Sequence, residues 1–120
     1  MISAARWCLL LPLLVFFAVA AEPGTRGFQP RVYVDAQGGK HPFVVFIPAT
    51  YQPGQHPPVM LFLHGSGERG ANNLDQLMAG IGPALWKRKV KFPFIVVLPQ
   101  CGAGSNWLVE GPDAQRALAM

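Results

Sequence analysis

The chain has 120 residues, of which 51% are hydrophobic and 13% charged, with a formal net charge of +4. That length holds one domain at most, and so mild a basic excess does not by itself indicate a nucleic-acid or membrane-surface protein. Two cysteines exclude a disulfide scaffold.

The first residues read as an export signal. Arg6 and the amino terminus give a positive start, 8–19 is almost wholly apolar apart from Pro12, and Ala18-Val19-Ala20 places small residues for cleavage before Ala21. The alternative is a membrane anchor, for which the run is short against a span of about 20 residues. The expectation is therefore a signal peptide over 1–20, export to the periplasm or the medium, and no membrane attachment afterwards. Cleavage also removes Arg6 and Cys8, leaving nine basic and six acidic residues and a single cysteine, Cys101, read as a small buried residue.

Residues 21–30 are polar and glycine-rich, a flexible lead-in to a domain over 31–120. The alternating run 31–35 predicts a strand, Gln37-Gly38-Gly39-Lys40 a turn, and the apolar run 43–47, stopped by Pro48, a second strand, the two forming a hairpin. Three prolines and a glycine make 51–58 an extended loop. The unbroken apolar run 59–63 predicts a third strand, buried on both faces. Asn72 or Asn73 can cap a helix whose apolar face is Leu74, Leu77, Met78 and Ile81, weakened at Gly80 and Gly82-Pro83. A further helical turn is expected over 84–89, with Leu85 and Trp86 packed inward. Lys87-Arg88-Lys89, with Lys91 just after, reads as a solvated helix end in which cations suit the macrodipole, not as a nucleic-acid patch. The apolar run 94–98, closed by Pro99, is a fourth strand; a loop covers 102–111; Pro112 and Asp113 open a last helix that continues to Met120. A buried strand, a helix and another buried strand make a parallel crossover, so the fold class is α/β.

The most informative stretch is Leu63-His64-Gly65-Ser66-Gly67-Glu68-Arg69-Gly70. A glycine-rich loop between a strand and a helix aims several backbone N–H groups at one spot, which suits negative charge. Two chemistries use that layout. Gly65, Gly67 and Gly70 spell the G-x-G-x-x-G of a dinucleotide-binding loop, which needs a carboxylate at the end of the next strand to hold ribose. That strand ends Val97-Leu98-Pro99-Gln100, without one. The other is an oxyanion hole for acyl transfer, in which each preorganised N–H is worth about 3 kcal/mol.

Three stretches carry a family resemblance: Phe46-Ile47-Pro48-Ala49-Thr50-Tyr51, the loop just quoted, and Val97-Leu98-Pro99-Gln100-Cys101 with Trp107 downstream. Over nearly all of 31–120 the chain resembles the α/β-hydrolase superfamily, and within it secreted esterases and predicted peptidases similar to dienelactone hydrolases and polyhydroxybutyrate depolymerases. The resemblance implies the N-terminal part of a mostly parallel sheet flanked by helices, the third strand lying between the fourth and a fifth that would carry the nucleophile. It implies a cofactor-free serine hydrolase of carboxylic esters, with peptides as the lesser option. Gly65 and Ser66 would form the oxyanion hole, and His64, Gly67, Glu68 and Arg69 would support the loop. The triad base is expected last in chain order, so His64 is read as structural.

Neither Ser66 nor Ser105 has the spacing of the nucleophile elbow G-x-S-x-G, so the triad is expected downstream of a sequence that stops inside the helix begun at Pro112. A non-catalytic secreted binding module built on the half-fold is the alternative, and a dinucleotide binder the third. His41, His56 and His64 lack metal-ligand spacing, so no metal site is expected.

Overall fold

The computed structural model describes residues 26–120. The expected signal peptide over 1–20 and the start of the lead-in lie outside the described residues. Four strands form one sheet: β1 (Gly27–Val34), β2 (Lys40–Ile47), β3 (Val59–Leu61) and β4 (Ile95–Pro99), in the spatial order β1-β2-β4-β3. β1 pairs antiparallel with β2, and β2 antiparallel with β4; only β3 and β4 run parallel. The sheet is thus mixed, not mostly parallel, because the hairpin contributes two of its four strands. Two 3₁₀ turns (Ser66–Glu68 and Asp75–Leu77) and helix α1 (Ile81–Arg88) connect β3 to β4, and helix α2 (Pro112–Ala119) follows β4.

β1 begins inside the stretch expected to be a flexible lead-in. Phe28 pairs with Phe46 across the ladder and its ring lies 5.2 Å from that of Phe46, so an aromatic anchor pulls this polar segment into the sheet. The turn to β2 is set by Asp35, whose carboxylate accepts from the amides of Gln37 and Gly39 at 3.0 and 2.7 Å, with Gly38 at φ 83°.

The helix expected from Asn72 does not form. Asn72 Oδ1 accepts from the amides of Leu74 and Asp75, and Asn73 takes φ 55°, a conformation asparagine tolerates and a helix does not contain. Leu77 is buried, but Leu74 and Met78 are 56% and 66% exposed, so the spacing that suggested one apolar helical face does not describe one. The chain reverses at Gly80, at φ 60°, and Gly82 packs so tightly on the backbone of Leu77 that a Cβ would collide with the Leu77 carbonyl. α1 then starts at Ile81, where Pro83 falls in the first turn and its missing N–H costs nothing.

The core lies on one face of the sheet. Val44, Phe46, Val96 and Leu98 bury against Leu77 and Leu85, with Met60, Phe62, Ile81, Phe92 and Phe94 around them. The opposite face carries Val45 and Val97, half-buried, and at its β3 edge Val59, 65% exposed, and Leu61. The third strand is therefore shorter than 59–63 and is covered on one face, not on both. Val59 and Leu61 sit in register with Ile95 and Val97, and β4 is the only strand paired with them among the described residues. Outside the core cluster, Ala114 and Ala117 of α2 are buried, as are Phe43, Pro99 and Cys101.

Candidate functional site

The glycine loop leaves β3 after Phe62, whose amide still donates to Val97 O at 3.0 Å. His64 follows, 4% exposed. Its Nε2 takes the hydrogen bond donated by the Cys101 amide at 2.9 Å, so that nitrogen carries the lone pair. The proton then sits on Nδ1, which donates to Gly65 O at 2.6 Å. Both ring nitrogens are spent on backbone, which leaves His64 neither a free base nor a free acid. Trp107 stacks edge-on against the imidazole at 5.2 Å, and its Nε1 donates to His64 O at 2.9 Å.

The 3₁₀ turn Ser66–Glu68 opens directly behind, with Gly65 extended at φ −77°, ψ −174°. Ser66 and Gly67 head that turn, so their amides have no carbonyl within it to meet. No backbone bond outside the helices and strands uses the amides of Gly65, Ser66 or Gly67 among the described residues, and all three residues are exposed. They form a short run of free donors on a loop fixed from below. Glu68 turns its carboxylate back toward the loop, with Oε2 3.9 Å from His64 Nδ1; no ion pair joins it to Arg69, whose side chain is exposed.

The fixing comes from the end of β4. Gln100 reaches across with both ends of its amide: Nε2 donates to Glu68 O and to Asn72 Oδ1, each at 3.0 Å, and Oε1 accepts from the Asn73 amide at 2.7 Å. The Gly70 amide donates to Cys101 O at 2.8 Å. Asn73 continues the network, donating to Phe43 O and accepting from Gln76 Nε2. Residues at 100, 101 and 107 thus hold a loop more than 30 positions earlier in the chain. The sequence pattern pointed to the loop and not to Gln100 or Trp107 as its anchors. The available signal was an amide directly after an apolar strand and an indole eight residues beyond that strand's end.

Behind the loop lies a second polar cluster. The Cys101 Sγ donates to Asp113 Oδ2 at 3.4 Å; burial pushes its thiol up, and the neighbouring carboxylate adds to the shift. Burial would raise Asp113 as well, but hydrogen bonds from Ser105, the Gly102 amide, Cys101 and Arg116 outweigh it and hold the carboxyl below the usual carboxylate range. Asp35 is also held low, first by its 2.7 Å contact with His41 and then by the Gly39 amide. A cavity of about 310 Å³ at this end is lined by Lys40, His41, Ser105, Asp113 and Arg116, among others. It does not assemble a triad: His41 pairs with Asp35 and makes no hydrogen bond to Ser105 or Asp113 among the described residues. His41 and His64 thus belong to separate clusters, and no group of three or more metal-ligating side chains occurs among the described residues.

Nothing among the family models or the curated proteins matches the chain. Among solved structures it is similar to one titled as the crystal structure of a thermostable esterase, with 32% identity and a TM-score of 0.57 over 69% of this chain. The chain spans 23% of the length of that protein. Its fold is esterase-like, a mixed sheet with few helices that is compatible with part of an α/β fold.

Proposed function

We propose that this chain supplies the oxyanion arm of an α/β-hydrolase-type serine hydrolase of carboxylic esters, with peptides as the lesser substrate class. The observation that carries this reading is the run of unengaged amides at Gly65 and Ser66, set at the end of a parallel strand and locked from beneath by His64, Gln100 and Trp107. When a serine attacks an ester carbonyl, charge develops on the carbonyl oxygen, and donors that are already positioned stabilise it without reorganising. Gly67 continues the donor run, Glu68 and Arg69 stand beside it, and the reaction needs no cofactor. On the signal-peptide reading the protein works outside the cytoplasm.

The nucleophile, acid and base of this reaction are not assembled among the described residues: His64 has both nitrogens occupied, and His41 is paired with Asp35 and bonds neither serine of the site. That same observation favours a second reading, a secreted module that binds an anionic or ester ligand at the loop without turning it over. The dinucleotide reading has Gln100 where the ribose-binding acid would stand, and the Gln100 amide is committed to the loop.

Ser66→Pro isolates the donor. Ser66 is the first residue of its turn, where proline fits, and extended Gly65 is a suitable predecessor. The test is a chimaera in which residues 26–120 replace the matched segment of the thermostable esterase, assayed on p-nitrophenyl acetate and butyrate. The expected result is a working enzyme whose kcat falls about 10²–10³-fold with Ser66→Pro at little change in KM. A folded, inactive chimaera, or an active one indifferent to Ser66→Pro, would refute the proposal. Turnover by the 120-residue chain alone that Ser66→Ala abolishes would instead make Ser66 a nucleophile.

A further inference from the structure

The C-terminal end of α1 is the solvated, cation-bearing helix end that the sequence suggests, but it also carries exposed apolar groups. Residues 86–91, Trp86-Lys87-Arg88-Lys89-Val90-Lys91, are all exposed. Trp86, expected to pack inward, is 54% exposed, and Val90 60%. One face of the indole stacks on Phe28, with centroids 4.6 Å apart and planes at 28°, so the ring is held in place while the rest of it meets solvent. The backbone draws the segment into a tight knot: the Lys91 and Phe92 amides both donate to Arg88 O, and Lys89 O accepts from the Ala49 amide. None of the four cations has an acidic partner within ion-pair distance among the described residues. The nearest acids along the chain are Asp75 and Glu110. Beside three of the cations, Lys87, Arg88 and Lys91, runs a groove of about 550 Å³ whose lining also includes Val90, Phe92 and Pro93.

We infer that this knot is a docking surface for an anionic lipid bilayer. Charge complementarity selects an anionic partner, since four unpaired cations crowd one helix end with no acid to balance them. The exposed apolar groups select a bilayer over a nucleic acid. A polyanion would leave Val90 in water, whereas the headgroup region receives a tryptophan edge and a valine while the lysine stems reach its phosphates. The surface stands apart from the Gly65–Ser66 amides, and the inference does not rest on the hydrolase reading.

The test uses the full chain with vesicles of phosphatidylcholine, with and without about one third phosphatidylglycerol, some carrying brominated acyl chains; a surface cation adds binding energy on the scale that makes such a fraction decisive. Residues 1–25 are common to every variant, so the readout is a difference. The chain holds three tryptophans, and the Trp86 contribution is the quenching that disappears in Trp86→Phe, which keeps the stack on Phe28. Partition onto the anionic vesicles is expected to fall by on the order of 10²-fold at low salt when Lys87, Arg88, Lys89 and Lys91 are all changed to Gln, and by far less at high salt. Circular dichroism of the variants confirms the fold. Undiminished quenching in Trp86→Phe would overturn the inference, as would undiminished partition of the four-glutamine variant. Heparin binding that depends on the four cations, with no Trp86 quenching by vesicles, would overturn it in favour of a soluble polyanion.

Discussion

Replacing His64 by alanine removes two backbone anchors and an aromatic contact from one place. The Cys101 amide, which donates to Nε2 at 2.9 Å in a buried setting, is left without an acceptor. An orphaned buried donor costs about 1–3 kcal/mol. The Gly65 carbonyl, freed from Nδ1, lies on an exposed residue and water replaces the lost donor, so it contributes little. Loss of the edge contact with Trp107 adds about 1 kcal/mol. The expected destabilisation is therefore about 2–4 kcal/mol, a large fraction of the ~5–15 kcal/mol available to a typical domain.

Urea unfolding at low micromolar protein reads this directly. With a slope near ~1 kcal/mol/M for a small domain, the midpoint falls by roughly 2–4 M, enough to leave a marginal domain unfolded without denaturant. His64→Gln separates the anchor from the bulk of the ring, because a glutamine carbonyl can stand where Nε2 stood and accept from the Cys101 amide. It should recover about half of the loss, and amide exchange at Cys101 should slow again with it. A His64→Ala midpoint within about 0.3 M of wild type would refute the anchor argument, since no orphaned buried donor is that cheap. Equal loss in both variants would place the cost in packing instead.

Gln100→Ala withdraws the clamp between β4 and the loop, with an expected cost of about 2 kcal/mol and faster amide exchange at Asn73. Asp113 and Asp35 are both held below their ordinary value of 3.8, so their stabilisation is full above that value and drains away as pH falls through the lower folded values. Acid titration followed by circular dichroism should show this loss below about pH 4, shallower in Asp113→Asn; a steeper loss in that variant would contradict the sign. The Cys101 thiol, raised by burial, should resist disulfide reagents in the native chain and be labelled only after denaturation, as mass mapping of the modified peptide reports. Val59→Lys charges the exposed β3 edge and should shift concentration-dependent self-association, measured by size-exclusion chromatography with light scattering, toward monomer; an unchanged profile would place the sticky surface elsewhere.

Sequence alone went far where the signal was local. The strands at β2 and β4 were visible as short apolar runs closed by Pro48 and Pro99, and the hairpin from Gly38-Gly39. Phe28 was the missed clue to β1, a single aromatic in a polar stretch whose partners, Phe46 and Trp86, lie far along the chain. The region after Asn72 misled for a different reason. Leu74, Leu77, Met78 and Ile81 keep helical spacing, but backbone geometry decides there: Asn73 and Gly80 take positive φ, and the close approach of Gly82 to Leu77 admits no side chain. The loop at the site was legible from its glycines. Its anchors were not, because Gln100 and Trp107 act over separations of 27 to 43 residues and leave no periodic trace.

The strands at 59–63 and 94–98 are apolar at every position, a composition suited to cover on both faces. The described residues cover one. Met60 and Val96 meet the core under α1, while Val59, Leu61, Ile95 and Val97 share a face that thins out to solvent at the β3 edge. The candidate oxyanion loop springs from that least-protected strand, yet β3 supplies little of what holds it. The Cys101 amide, both ends of the Gln100 side chain and the Trp107 indole all come from β4 or beyond, and β4 is paired on both sides. Fraying at Val59 therefore does not propagate to Gly65 and Ser66 through the backbone alone; it would have to break contacts that the sheet interior maintains. Donors preorganised in this way need a rigid floor more than a rigid approach. The chain provides that floor with residues that follow the loop by three dozen positions, which is why the loop's conformation is set by tertiary contacts and not by the glycines that first drew attention to it.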